Sequence, residues 1–309
     1  KREKSYASSM DRKFVWCAMT KRDTGEPRVC EFWNDIQQHN FLQSALMAGI
    51  LSSIACGVIG SYVVTRRITY IAGSIAHSVL AGLGAARYFQ VVYQWEWFTP
   101  FYGALCAALV SAIIIGFVSI YAKEREDTVI GAVWAVGMAA GVLFVFKTPG
   151  YNEDIMSYLF GNILMVSTED LLRITGLDLL LVILGIIFYK RFLAVCFDEE
   201  FARLRGIKTE LYYIFFLCLT AITFVLLVTV VGIVMVIALL TIPVAVAGQF
   251  TSRLVTLMVF SVIFTMIFTS AGLVLSYGPD LPAGAVTILL AATVYLAVVI
   301  LSRVFRSSR

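Results

Sequence analysis

A single histidine lies inside an apolar stretch, His77 in the run Gly73-Ser74-Ile75-Ala76-His77-Ser78. Residues three or four positions apart share one face of a helix, so the spacing places Ser74 and Ser78 near the imidazole. Neutral imidazole binds transition-metal ions, and polar groups at membrane depth usually face a cavity. We expect His77, Ser74 and Ser78 to line a path for a divalent metal ion. The alternative is a structural histidine bonded to a neighbouring helix.

Three carboxylates lie close to apolar segments. Glu153 and Asp154 precede the short apolar stretch 155–166 and could attract cations at an outer mouth, although a solvated loop is the alternative. Asp178 lies near the start of its own apolar run, and charges near helix ends commonly reach towards water. We therefore expect Asp178 to reach the outer interface, where it is either simply solvated or part of an acidic mouth.

A charged segment between two apolar runs has the pattern of a short amphipathic helix, which Gly206 is able to end. Such a helix could dock a soluble partner or lie on the membrane surface, and the sequence leaves both open. The residues that would carry a docking role are Asp198, Glu199, Glu200, Phe201, Arg203, Arg205 and Gly206.

Pro243 occurs within the apolar run Leu239-Leu240-Thr241-Ile242-Pro243. Proline removes one backbone hydrogen bond, so the run is expected to kink or break there. Broken helices often line substrate paths, whereas a simple kink is the more common case.

The elements that must position these residues are membrane spans. Hydrophobic residues make up 60% of the 309 residues and charged residues 14%, against about 45–50% and about 25% in soluble domains. A spanning helix needs about 20 mostly apolar residues, which predicts an all-α, polytopic membrane protein. Small residues, as in Gly137-Met138-Ala139-Ala140-Gly141 and around Gly82 and Gly84, are expected to let spans pack closely. The candidate spans are 41–64, 68–90, 98–121, 128–147, 171–189, 210–230, 231–250, 254–276 and 282–302.

Lys and Arg accumulate in alternate connections between these spans, and cytoplasmic loops retain positive charge. The basic connections are therefore expected on the cytoplasmic side, with the C-terminus inside and the N-terminus outside. Residues 1–38 form a polar tail, either disordered or not part of the native sequence, and its own basic residues oppose this orientation. The predicted permease domain is 39–309, with a cytoplasmic connection at 190–209. The basic positions are Arg66, Arg67, Lys123, Arg125, the group from Lys190 to Lys208, Arg253, Arg303, Arg306 and Arg309.

Several activities are excluded by what the sequence lacks. No G-x-x-x-x-G-K-[ST] run occurs, so the chain does not itself hold ATP through a P-loop. With His39 and His77 as the only histidines and no H-E-x-x-H, a zinc-hydrolase site is hard to assemble. Basic residues beyond the tail lie in short connections, which is membrane topology and not a nucleic-acid surface.

Six stretches of the sequence together resemble the permease subunits of bacterial zinc- and manganese-importing ABC systems. The likeness covers about residues 41–305. In that family an aspartate commonly lies four residues before the histidine, and here that position is Gly73; the proline that often follows is Ala81. The stretches are Gly60–Arg67, Ser74–Leu80, Ser157–Leu164, Phe197–Ala202, Gly232–Pro243 and Leu281–Gly284.

The resemblance implies a homodimer of permeases in the cell inner membrane, joined to two cytoplasmic ATPase subunits that bind the ATP. The segment from Asp198 to Gly206 becomes the coupling helix that enters the ATPase. A divalent metal ion such as zinc, manganese or iron, delivered by an extracytoplasmic binding protein, passes along the dimer interface beside His77. No cofactor is expected on this chain, and apart from these proteins its only partner is membrane lipid.

Two other functions remain open from the sequence. A related ABC permease could carry a metal chelate, a siderophore or a vitamin, which needs a wide cavity instead of a constriction with ligands. An ion-coupled secondary transporter should carry buried carboxylates to couple protons or sodium, and the predicted spans largely lack them.

Overall fold

The computed structural model describes residues 36, 38–122, 126–149, 161, 163–277 and 281–307. Within these ranges every regular element is helical. A single 3₁₀ turn, Ile163–Met165, precedes α5. The α-helices are α1 (Asn40–Thr65), α2 (Thr69–Val92), α3 (Pro100–Tyr121), α4 (Glu126–Lys147), α5 (Thr168–Phe197), α6 (Glu199–Leu204), α7 (Thr209–Val231), α8 (Ile233–Ala247), α9 (Leu254–Tyr277) and α10 (Ala283–Ser307).

Eight of these described helices are long and apolar enough to cross a membrane. The shortest of the eight spans has 22 residues, which is about 33 Å at 1.5 Å per residue and matches a hydrocarbon core of about 30 Å. The predicted all-α, polytopic architecture is confirmed. The candidate span 231–250 corresponds to α8, which has only 15 residues.

α1, α2 and α7 form the centre of the protein, because most of their apolar residues are buried. α2 packs against both α3 and α4, and α1 packs against α5, α8 and α9. By contrast α4, α5 and α10 leave most of their apolar surface exposed. Such surface must face lipid or another protein, since water would not accept it.

Glycines set the separation between α2 and its two neighbours. A side-chain carbon at Gly82 would overlap the backbone of Gly103 on α3. On the opposite side, Gly137 lies against Ser78 and Gly141 lies against Leu80, again with no room for a side chain. The small-residue clusters therefore pack as predicted, and they bring α4 close to the part of α2 that carries His77.

The chain is interrupted at Gly232, between α7 and α8. Gly232 has φ 85° and ψ 158°, a conformation that ends α7 and redirects the chain. α8 continues through the buried Pro243, so the chain does not break there, and the alternative of a kink stays a prediction. The proline leaves the carbonyl of Leu239, four residues earlier, without a helical N–H donor. The interruption lies instead at Gly232, the first residue of the stretch Gly232–Pro243.

Candidate transport path and coupling helix

His77 lies on the buried face of α2, where its side chain is 8% exposed. The imidazole stacks on the indole of Trp134 from α4, with ring centroids 4.5 Å apart and planes inclined by 20°. Its Nδ1 atom is buried and has no hydrogen-bond partner among the described residues. Leaving a buried nitrogen unpaired costs about 1–3 kcal/mol, so this atom is a candidate ligand for an ion.

Ser74 and Ser78 lie on α2 with His77, but their hydroxyls are engaged elsewhere. Ser74 Oγ donates to the carbonyl of Ile130 on α4 at 2.9 Å. Ser78 Oγ donates to the carbonyl of Ile75 within its own helix at 2.7 Å. The two hydroxyls can therefore offer an ion only their remaining lone pairs, and Ser74 also ties α2 to α4.

A multi-ligand metal site is not formed within the part of the chain that the structure describes. No three His, Cys, Asp or Glu side chains come together there. A single imidazole binds a divalent ion weakly, which suits a path that the ion must both enter and leave.

The three predicted acidic residues do not form a described cluster. Glu153 and Asp154 lie outside the described residues. Asp178 is 5% exposed, and although the Ala55 amide on α1 lies close to the carboxyl, neither oxygen forms a hydrogen bond of normal geometry with a described residue. The expectation that Asp178 reaches the outer interface is therefore wrong.

Asp178 lies deeper than expected because α5 begins earlier than the apolar run predicts. Ser167 and Asp170 form a reciprocal capping box that starts the helix at Thr168, ahead of the predicted 171. Asp178 consequently lies about 15 Å into the helix at 1.5 Å per residue. Its neighbours Ile174 and Leu181 are buried on the same face, and α5 packs there against α1.

The predicted amphipathic segment is the short helix α6. Asp198 caps it by accepting a hydrogen bond from the Phe201 amide at 2.9 Å. Gly206, with φ 78°, ends it. The amides of Gly206 and Ile207 bond back to the carbonyls of Arg203 and Ala202, so both ends of the helix are closed by their own residues.

α6 presents a mixed apolar and charged surface outwards. Leu204 is 87% and Phe201 46% exposed, with Glu200 and Arg205 beside them. Arg205 lies over the Phe201 ring at 4.5 Å. A cavity of about 750 Å³ adjoins the helix, lined among others by Phe197, Phe201, Arg253 and Leu254. This surface can receive a protein partner or a membrane surface.

Arg66, at the end of α1, ties α6 to the transmembrane core. Its guanidinium donates to the carbonyl of Val195 and lies 3.3 Å from Glu199 of α6. The same guanidinium lies 4.3 Å from the ring centroid of Tyr213 on α7. The Arg66 side chain is only 14% exposed. Dissolved salt therefore weakens this ion pair less than it weakens a pair on the surface.

Tyr213 continues the chain of contacts to α3 and α4. Its hydroxyl donates to Ser119 Oγ at 3.1 Å, and Ser119 in turn donates to Glu126 Oε1 at 2.8 Å. Glu126 is the first residue of α4, the helix that carries Trp134. Polar contacts therefore run from α6 to the base of the helix that lies against His77. They also place the predicted connections after α1 and α5 at one end of the bundle.

Sequence reasoning missed Trp134 and the connected contacts of Arg66, Tyr213 and Ser119. Arg66 was assigned only to a basic connection. Its helix-end position beside a charged segment was the available signal for an ion pair. Nothing in the local sequence signals Trp134, because its role depends on which helix packs over α2.

Comparison with known proteins agrees with this architecture. The ABC 3 transport family matches residues 38–302. A probable metal transport system membrane protein of Chlamydia trachomatis is 38% identical over 264 residues, 85% of this chain and 90% of that protein. The manganese transport system membrane protein MntC of Halalkalibacterium halodurans is 33% identical over 265 residues, 85% of this chain and 88% of that one.

A solved structure, PsaBC from Streptococcus pneumoniae in complex with Fab, is similar to this chain with a TM-score of 0.77 and 27% identity. The similarity covers 87% of this chain and 95% of the other. These matches confirm the resemblance that the six sequence stretches indicated. The chain is a multi-pass membrane protein that belongs to the ABC 3 transport family.

Proposed function

We propose that this chain is the permease subunit of an ATP-driven importer that carries a divalent transition-metal ion across the cell inner membrane. The observation that carries the proposal is the match along 85–86% of the chain to membrane proteins named for metal or manganese transport. Zinc and iron share the preference for imidazole and remain within the same class of cargo. A metal chelate or vitamin is disfavoured, because these relatives are named for metals.

The permease domain, 39–309, works as two copies with two cytoplasmic ATPase subunits and an extracytoplasmic metal-binding protein. α6, within the connection 190–209, is the coupling helix. Its exposed Leu204 and Phe201 between charged residues form an apolar centre with a polar rim, as protein interfaces have. Arg66 holds the helix against the core, so a force applied to α6 reaches the spans.

The metal lane passes His77. The imidazole supplies one nitrogen ligand, and the serine oxygens beside it supply weak ones. Two copies facing each other would double this set. Because ATP is bound by the partner subunits, the chain itself catalyses no chemistry; it alternates between outward and inward access as the ATPases close and reopen.

Reconstitution tests the function. The permease, its ATPase and the loaded binding protein are placed in vesicles, and uptake of Mn²⁺ or Zn²⁺ is measured with and without ATP. ATP-dependent uptake is expected, with His77→Ala reducing uptake while assembly is kept. Uptake in the absence of any ATPase subunit, or ATP hydrolysis stimulated only by a metal chelate, would contradict the proposal.

The docking role of α6 has its own test. Glu200→Arg reverses a charge on the exposed face of α6 without touching the Asp198 cap or the Arg66–Glu199 pair. We expect this variant to assemble poorly with the ATPase or to hydrolyse ATP without moving metal. Transport coupled as in the wild type would show that α6 does not dock there.

A further inference from the structure

A large side chain, Trp134, lies between the glycines of the seam that joins α2 and α4. Ile130, Gly137 and Gly141 are the described buried residues of α4. Trp134 lies one turn from both Ile130 and Gly137, so it shares their face. Since the glycines bring the helix backbones close together, the indole has to lie in the space that α2 leaves for it.

α2 leaves that space at Gly73. A Cβ atom built on Gly73 would lie 3.3 Å from Cζ3 and 3.6 Å from Cη2 of Trp134. The first of these distances is closer than ordinary carbon contacts of about 3.5–4.0 Å. Even alanine at residue 73 would therefore push against the indole, and any longer side chain would have to displace it.

The indole is held in this place by rings on both sides. It stacks on His77, with centroids 4.5 Å apart, and contacts Tyr70 with centroids 5.7 Å apart. Tyr70, Gly73 and His77 fall on one face of α2, at spacings of three and four residues. Trp134 thus covers one face of the imidazole and occupies the space that a side chain at residue 73 would fill.

We propose that Trp134 is the gate of the metal lane at His77 and that Gly73 is the residue that makes room for it. The inference rests on the proposed function. In the conformation described here the stacked indole closes the lane beside the imidazole. Movement of α4 away from α2 uncovers His77. A neutral aromatic gate in place of a second charged ligand lets the ion pass without being held.

Contacts at the first residue of α4 could start this movement. Glu126 begins α4 and accepts the hydrogen bond from Ser119, which Tyr213 bonds in turn beside Arg66 and α6. Along its length α4 buries little besides the seam on α2. A displacement of α6 therefore reaches the gate helix through polar contacts at its first residue.

The test measures leak, which a merely structural residue would not control. Vesicles contain the complete transporter and a trapped dye that manganese quenches; Mn²⁺ is added outside and ATP is omitted. We expect Trp134→Ala to raise the rate of quenching about three- to tenfold, the population shift that loss of one aromatic pair allows. Trp134→Phe should leak less than Trp134→Ala.

Phe144→Ala is the matched control. Phe144 is a half-buried aromatic residue on the same helix, in contact with Tyr88 and Phe89 of α2 but not with His77. This variant removes a ring from the same seam and should stay as tight as the wild type. Equal leak in the Phe144 and Trp134 variants would mean that loosened packing, and not a gate, is responsible, and would overturn the proposal.

The outcomes separate the gate from the lane. If His77→Ala loses uptake while Trp134→Ala neither leaks nor changes uptake, the gate is wrong and the lane at His77 stands. If both variants show wild-type uptake and leak, His77 does not line the metal path. The proposed gate at Trp134 is then wrong as well.

If Trp134→Ala does not assemble, the pairing of Gly73 with Trp134 is tested instead. Gly73→Ala is introduced into the wild type and into Trp134→Phe, and uptake by the two variants is compared. The added methyl group should slow uptake in the wild type and have a smaller effect beside the smaller ring. Equal effects in the two backgrounds would overturn the pairing of Gly73 with Trp134.

Discussion

Arg66 Nη2 and Glu199 Oε2 lie 3.3 Å apart and join the end of α1 to the short helix α6. Glu199 is shared with a second arginine, Arg203, at 3.2 Å. The two arginines differ in burial, with side-chain exposures of 14% for Arg66 and 51% for Arg203. Arg203 bonds Thr209 and Glu210 at the start of α7, whereas Arg66 contacts both the end of α5, through Val195, and the ring of Tyr213.

Arg66→Ala should therefore uncouple ATP hydrolysis from transport, whereas Arg203→Ala should not. Loss of the charged hydrogen bonds of Arg66 should lower the free energy of unfolding by about 1.5–3 kcal/mol. Exposed pairs such as those of Arg203 contribute about 0–1 kcal/mol. The measurement is metal taken up per ATP hydrolysed, together with the unfolding midpoint in detergent. Similar losses in both variants would argue that the pair, and not the link to the core, matters.

The Tyr213 hydroxyl connects α7 to Ser119 of α3 by a hydrogen bond. The adjacent Tyr212 offers a control substitution. Both tyrosines lie near a guanidinium, Arg66 at 4.3 Å from Tyr213 and Arg191 at 5.6 Å from Tyr212. Tyr213→Phe keeps the ring under Arg66 and removes only the hydrogen bond to Ser119. Tyr212→Phe removes an exposed hydrogen bond from Arg191.

We expect Tyr213→Phe to assemble with the ATPase normally and yet to move less metal per ATP, because α4 loses its connection to α7. Tyr212→Phe should keep the wild-type ratio. A single neutral hydrogen bond contributes about 0.5–1.5 kcal/mol, so the ratio should fall no more than about tenfold. An unchanged ratio in Tyr213→Phe would remove this hydroxyl from the coupling route.

The spans and the short helix α6 could be predicted from the sequence because their signals are local. Twenty apolar residues in succession define a span whatever surrounds them. Asp198 and Gly206 likewise mark the ends of α6 by their own chemistry, an oxygen acceptor for the first amides and a backbone free to adopt positive φ.

Asp178, Pro243 and Trp134 could not be placed in the same way, because their roles depend on other elements. Asp178 is deep in the helix since a capping box starts α5 earlier than the hydropathy does. Pro243 leaves α8 continuous, and the interruption of the chain lies at Gly232 instead. The contact of Trp134 with His77 exists only because glycines on α4 bring that helix against α2.

Asp178 is expected to cost stability where it lies. Both of its oxygens are buried, and the Ala55 amide beside the carboxyl forms no hydrogen bond of normal geometry; burying a polar group without such a bond costs about 1–3 kcal/mol in protein mutational data. Asp178→Leu should therefore raise the unfolding midpoint. Asp170→Ala, on the same helix, should lower stability by about 0.5–2 kcal/mol through loss of the capping box.

Uptake by the two aspartate variants separates structure from transport. Asp178→Leu should transport like the wild type. A stable Asp178→Leu variant that no longer takes up metal would place the carboxyl in the transport cycle. A lower unfolding midpoint would instead show that Asp178 has a partner in the membrane.

Two glycines with positive φ, Gly161 and Gly206, should respond differently to the same substitution. Gly206 has φ 78° and open space around the position of a side chain, so Gly206→Ala meets only backbone strain of about 1–2 kcal/mol. Gly206→Asn should be milder, since asparagine adopts this conformation more readily. Gly161 has φ 71°, and a side chain there would overlap the backbone of Val231 and Gly232.

Gly161→Ala should consequently cost more than Gly206→Ala, and asparagine should not rescue it, because the obstacle is the interruption between α7 and α8 and not φ alone. Unfolding midpoints of the four variants in detergent give the comparison. If Gly161→Asn were as stable as Gly206→Asn, the segment at Gly161 would not pack against the α7–α8 interruption. The contact of Gly161 with Val231 and Gly232 would then not help to fix the turn between α7 and α8.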